Sequence, residues 1–123
     1  TYIGRFGHIY ATAGIEIGEK VLIADKVYIS DNLHSFETIQ LPVLNQPVKQ
    51  LKQVKIGAGA WIGENACIIG ASIGKNSVVG ANAVVTKDIP DFCVATGIPA
   101  IIIKKYKFET KQLHKTNSEG NFI

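Results

Sequence analysis

The chain has 123 residues, 46% of them hydrophobic and 19% charged. That length holds one core and leaves no room for a second, and that balance excludes a disordered chain. The net charge of +3 suits a small anionic ligand, and nucleic acid is disfavoured because no basic stripe is interleaved with aromatic residues. No apolar run reaches about 18 residues, so no transmembrane segment is expected, nor is a secretory leader. Cys67 and Cys93 lack CxxC or zinc spacing and read as free thiols of a cytoplasmic protein.

In chain order, an aliphatic residue recurs at six-residue spacing. The first block runs Ile3, Ile9, then Ile17, Ile23, Ile29; the second runs Ile56, Ile62, Ile68, then Ile73, Val79, Val85. Glycine follows directly at Gly4, Gly18, Gly57, Gly63, Gly74 and Gly80. Four places after the aliphatic residue stands a small or aliphatic one, including Val21, Val27, Leu33, Ala60, Ala66, Ser72, Ser77 and Ala83. An amphipathic helix repeats its apolar stripe at about 3.6 residues and is excluded. Six residues are three strand periods, so each hexad sends its aliphatic side chain to the same face. Short strands stacked coil upon coil, as a parallel β-helix, satisfy this pattern.

The interruptions carry further information. Two residues are inserted between Ile9 and Ile17, and one is deleted between Ile68 and Ile73, where Gly70 absorbs a tighter corner. Residues 35–53 abandon the period, and Pro42 and Pro47 make them poor central strand, so they read as a loop leaving a corner and returning to it. Val94 to Ile103 is strand-like again. The repeat domain is thus read as residues 1–103 and a C-terminal tail as 104–123, with a short helix over Tyr106–Leu113 and frayed last residues. About four coils make a stack on the order of 20 Å tall. So short a prism favours side-by-side association with closed symmetry.

The second block resembles a known family. Val54-Lys55-Ile56-Gly57-Ala58-Gly59-Ala60-Trp61-Ile62-Gly63-Glu64-Asn65 is similar to the "IGxxxWIGxN" stretch of hexapeptide-repeat acyltransferases. The run from Ile73 to Pro90 resembles the coil that follows it there, and Gly97-Ile98-Pro99-Ala100 the "GxPA" ending. Upstream, Asp31-Asn32-Leu33-His34 looks like the family's "D-x-x-H" corner. The likeness covers about residues 1–105 and is nearest to the maltose, galactoside and polysaccharide O-acetyltransferases. It implies an all-β, left-handed parallel β-helix, a homotrimer, and active sites in clefts between subunits. It also implies acetyl-coenzyme A as the acyl donor and a sugar or polysaccharide precursor as the acceptor.

Transfer of an acetyl group from a thioester to a hydroxyl requires a base, an oxyanion site and juxtaposed substrates. Histidine suits the first task because imidazole titrates near neutral pH. His34 stands where the repeat stops, and it matches the family's catalytic histidine. Asp31 is a candidate to orient His34, with Glu37 as its rival. Asn32 occupies a position where relatives often carry histidine, and with Glu37 it is a candidate contact for a sugar hydroxyl. The resemblance places Trp61 along the pantetheine channel and Glu64, Ala81, Thr86, Lys87 and Lys104 at coenzyme-binding positions. Ile101 replaces an arginine of some relatives, which shifts phosphate binding to lysines.

His8 reads as structural or cleft-lining and His114 as exposed in the tail. Three histidines without paired spacing argue against a metal site. Cys67, inside a regular coil with no histidine beside it in sequence, is a poor nucleophile, so direct transfer in a ternary complex is expected. Acetylation of an amine on a nucleotide sugar is the alternative activity, and a non-catalytic hexapeptide scaffold the alternative class.

Overall fold

The computed structural model describes residues 1–123. Its first coil consists of β1 (Tyr2–Ile3), β2 (His8–Tyr10) and β3 (Ile15–Ile17). The second has β4 (Leu22–Ile23) and β5 (Tyr28–Ser30), then an excursion bearing β6 (Asn32–His34) and β7 (Val48–Gln50), then β8 (Val54–Ile56). The third has β9 (Trp61–Ile62), β10 (Cys67–Ile69) and the bridging residue Ile73. The fourth has β11 (Val78–Val79), β12 (Val84–Val85) and a bridge at Ile89. β13 (Cys93–Thr96) opens a last rung, and β14 (Ile101–Lys107) and β15 (Gln112–Lys115) close the chain.

These strands pair in parallel on three faces of a prism. The first face aligns Tyr2, Leu22, Trp61, Val78 and Val94. The second aligns His8, Tyr28, Cys67 and Val84, and the third Ile17, Ile56, Ile73 and Ile89. Every face turns its hexad aliphatics inward: Ile23, Ile29, Ile56, Ile62, Ile68, Val79 and Val85 are at most 1% exposed. Ala60, Ala66 and Ala83 fill the corners beside them. The architecture is a left-handed parallel β-helix.

Two local devices make the corners. At the regular corners the third residue after the aliphatic, among them Lys20, Lys26, Gly59, Asn65, Asn76 and Asn82, has φ between 54° and 74°. This left-handed conformation is strained for most residues and best tolerated by glycine and asparagine. The hexad glycine serves a different purpose. A Cβ at Gly57 would lie 2.7 Å from the Lys75 nitrogen, and one at Gly63 2.6 Å from that of Ala81. Glycine is there because the next coil is too close for a side chain.

Several expectations are corrected. Leu33, four places after Ile29, stands outside the hexad pattern and is 37% exposed, because the chain has already left the coil at that point. Ala71, not Ser72, fills its corner, since Gly70 at φ 59° turns one residue early. Ile3 and Ile9 are exposed because the first coil has a neighbour on one side only. Residues 35–53 are no plain loop. β6 and β7 pair antiparallel, with Asn32 opposite Gln50 and His34 opposite Val48, and a 3-10 turn at Val43–Asn45 lies between them.

The tail forms no helix over Tyr106–Leu113. β14 continues the first face antiparallel to β13, and β15 pairs back with Tyr106 opposite Leu113. The open edge of β13 and the edge-on packing of Phe108 against Phe92 and Tyr106, at 5.3 and 4.9 Å between centroids, outweigh local helix preference. Ile62→Ala, at a fully buried rung, is expected to lower stability by about 2–5 kcal/mol. Ile3→Ala at the exposed end should cost under about 1 kcal/mol, both read as urea-unfolding midpoints.

Candidate functional site

The corner between the second and third faces is built around Asp31. Its side chain is fully buried and accepts hydrogen bonds from the backbone nitrogens of Thr12, Ala13 and Gly14, each at 2.8 Å. The Thr12 hydroxyl and Asn32 Nδ2 add contacts at 3.0 Å. The two residues inserted between Ile9 and Ile17 therefore let the first coil wrap this carboxylate. Burial by itself pushes the Asp31 carboxyl up. The hydrogen bonds from Asn32, Gly14, Thr12 and Ala13 outweigh it and hold the group well below the usual carboxylate range.

The Asp31 carbonyl does a second job: it accepts from the Leu51 nitrogen and from Gln50 Nε2, both at 2.8 Å. The excursion thus leaves and returns through one residue. Beyond it, Gln46, two residues before β7, is buried and donates to the carbonyls of Thr38 and Leu41 at 3.0 and 2.9 Å. Pro47 accepts from the Ser35 nitrogen at 2.9 Å.

His34 ends β6 with its side chain exposed. The Asp31 carboxylate makes no hydrogen bond with it, and its partners are those of the corner. Asn32 is 3% exposed, and its amide donates to the Tyr10 carbonyl at 3.2 Å as well as to Asp31. Glu37 is exposed, accepts from the Phe36 nitrogen at 3.0 Å, and lies 3.8 Å from Lys49 Nζ across the hairpin.

Thr86 and Lys87 lie on this same edge, two coils further along. Lys52, on the returning chain, is 2.7 Å from Asp88, and its ammonium together with the Ser72 nitrogen holds that carboxyl below its ordinary value. Thr86 and Lys87 line a cavity of about 550 Å³ with Pro99, Ala100, Ser118 and Glu119. The remaining candidates lie elsewhere. Trp61 is 48% exposed on the first face, between Leu22 and Val78. Glu64 and Ala81 are exposed at the corner between the first and second faces, where the Asn82 nitrogen donates to the Glu64 carbonyl at 2.9 Å. Lys104 is exposed on β14.

In a three-sided prism the edge carrying His34, Thr86 and Lys87 is opposite the face carrying Trp61 and Lys104. One chain brings the first group together and keeps the second apart from it. His8 is exposed on the second face with its ring 5.3 Å from that of Tyr28. His114 is half-buried, not free in a frayed tail, and shares a 2.6 Å hydrogen bond with Thr110.

Sequence reading missed Gln50 and Thr12, whose signal was the two-residue insertion facing the excursion. It also missed Ser118 and Glu119. Their turn is ordered by Asn117, which accepts from the nitrogens of Glu119 and Asn121 at 3.0 Å, and by Gly120 at φ 87°.

Comparison with known proteins fits this geometry. Residues 53–87 match the family described as the hexapeptide repeat of succinyl-transferase. The chain is 40% identical to WbbJ of Escherichia coli K12, named as a candidate lipopolysaccharide-biosynthesis O-acetyl transferase, over 92% of this chain and 61% of that protein. A galactoside acetyltransferase solved with coenzyme A superposes with a TM-score of 0.71 at 29% identity, over 98% of this chain and 66% of that one. A maltose O-acetyltransferase from Clostridium difficile 630 gives 31% identity over 82% of this chain and 68% of that one, with a TM-score of 0.54. The chain belongs to the hexapeptide-repeat acyltransferase superfamily. It spans about three fifths of WbbJ.

Asp31 makes the corner sensitive to acid. Its depressed pKa contributes stability that is complete above the ordinary carboxylate value of about 3.9 and is lost as pH falls below it. Urea-unfolding midpoints of the parent should therefore drop below about pH 4. Asp31→Asn should be less stable by about 3 kcal/mol at neutral pH, since it faces buried donors with an amide, and should show a shallower decline in acid.

Proposed function

We propose that the protein transfers an acetyl group from acetyl-coenzyme A to a hydroxyl of a saccharide, at sites formed between the copies of a cytoplasmic homotrimer. The observation that carries this reading is the split of the candidate residues between one edge of the prism and the face opposite it. Packing one copy's edge against a neighbour's first face brings His34, Thr86 and Lys87 to Trp61, Glu64, Ala81 and Lys104. That face presents an exposed apolar ladder of Tyr2, Leu22 and Trp61, of the kind that marks an interaction surface. Closed threefold symmetry would satisfy it three times over. No helix of the chain is long and apolar enough to cross a membrane.

In this reading His34 is the general base. Its imidazole removes the proton from the acceptor hydroxyl as the oxygen attacks the thioester carbonyl carbon. The carbon–oxygen bond forms, a tetrahedral oxyanion collapses, the carbon–sulfur bond breaks, and the imidazolium returns its proton to the leaving thiolate. Backbone N–H groups at the corners supply donors for the oxyanion. Lys87 and Lys104 are point-charge partners for the phosphates of the donor, with Thr86 beside the first. Glu64 and Ala81 contribute through their backbone, and Trp61 lines the pantetheine arm. Glu37, exposed on the hairpin, is assigned to the acceptor. Asn32 is assigned to the corner, because its amide is already engaged. Cys67 lies half-buried on the second face with Tyr28 and Val84 as its register neighbours, and Tyr28 separates it from His8 one rung further on, which supports direct transfer.

A thiol-release assay with acetyl-coenzyme A and a panel of sugars tests the reading. His34→Ala should lower kcat by at least about a hundredfold. Lys87→Ala should raise KM for acetyl-coenzyme A by about tenfold with kcat retained. Equal turnover of parent and His34→Ala would remove His34 from the mechanism. Turnover confined to amino sugars would replace the O-acetyl assignment, and absence of both turnover and donor binding would favour the scaffold.

A further inference from the structure

We infer that Gln50 is a positioning residue that fixes His34 for the transfer, a role that rests on the acetyl-transfer reading above. Three observations carry the inference. Gln50 Nε2 donates to the Asp31 carbonyl at 2.8 Å and to the Leu51 carbonyl at 2.9 Å, so the side chain clamps the returning strand to the corner it left. Its Oε1 accepts from the Thr12 hydroxyl, whose single proton is shared between it and Asp31 Oδ1. One amide therefore joins the first coil, the second-coil corner and the hairpin, using a donor and an acceptor at once.

The second observation is register. Gln50 stands opposite Asn32 at the first pair of the β6–β7 ladder, and His34 is the last residue of β6, opposite Val48. Past that ladder the chain from 35 to 45 is almost wholly exposed. The base of the hairpin is thus where the prism holds His34, and a change of tilt there is carried straight to the imidazole.

The third observation is the weakness of the other ties. The ion pairs Lys49–Glu37 and Lys52–Asp88 join side chains that are all more than half exposed. Such pairs give little net stabilisation and fade with salt. Hydrogen bonds with fixed direction at the base are left to set the angle. Glutamine is required for this arrangement. A glutamate has the same shape but would set an acceptor oxygen, in place of Nε2, against both the Asp31 and Leu51 carbonyls, close to the buried Asp31 carboxylate.

The experiment compares the parent with Gln50→Ala and Gln50→Glu by steady-state kinetics and by amide hydrogen exchange. Both variants should lose about tenfold or more in kcat through misplacement of the base. KM for acetyl-coenzyme A should stay within about twofold, because donor contacts are untouched. Exchange should quicken at Leu51, whose nitrogen bonds across the hairpin base, and at Ser35, whose nitrogen bonds just past His34, and stay unchanged at Cys67 within the coils. Thermal midpoints near the parent's, read on the same samples, would show that the coils stay folded. Unchanged exchange at Ser35 and Leu51 would overturn the inference, as would full kcat in the variants of an active parent. A parent that transfers no acetyl group overturns the acetyl-transfer reading itself, which the exchange data would not conceal.

Discussion

Coils that stack at backbone hydrogen-bonding distance impose the condition on which everything else here depends. At that spacing the hexad glycine has no room for a side chain, as the 2.7 Å clearance at Gly57 shows. The regular corners also turn through a left-handed residue, and Asn65, Asn76 and Asn82 take that role. With the corners so determined, the aliphatic residue of every hexad has one direction left, into the prism. The interior is then a column of Ile, Val and Ala rather than an irregular core. Hydrophobic burial holds the column together, and backbone geometry decides its shape.

The regular stack is suspended at one corner, and polar chemistry takes over there. A fully buried carboxylate is costly unless its lone pairs are filled. Asp31 fills them with three backbone nitrogens from the first coil, which no alternating strand could offer. Its carbonyl then receives both the main chain and a side chain of the returning excursion. The proposed base is therefore carried on a hairpin whose foot is welded to the scaffold, while its far end stays open to solvent. Precision at the foot and access at the tip are compatible because they rest on different residues.

Much of this was legible in the sequence because hexad spacing reports apolar burial directly. Ile23, Ile29, Ile62 and Val79 lie where their spacing places them, and the loss of the period at His34 marks the excursion. Periodicity is blind to a buried polar group, so it shows Asp31 as a candidate to orient His34 and not as the corner's anchor. The β6–β7 pairing was hidden for a different reason. Its partners are far apart in sequence, and its strands are three residues long, too short to show alternation. The tail misled because Tyr106 to Leu113 forms a hairpin only against the open edge of β13, a tertiary circumstance that local composition does not contain. The sides of the prism on which candidate residues fall were likewise invisible until the coils could be counted around three faces.

In the proposed reading that distribution means that no single chain holds a complete site. The most direct measurement is complementation between two variants, His34→Ala and Trp61→Ala, each expected to lose most of its activity alone, co-expressed and purified together. If each site takes its edge from one subunit and its face from the next, random mixing in a closed trimer restores about a quarter of the parent activity. If the site instead lies within one chain, every site in the mixture carries one of the two defects. Activity no higher than that of the separate variants would then contradict the account.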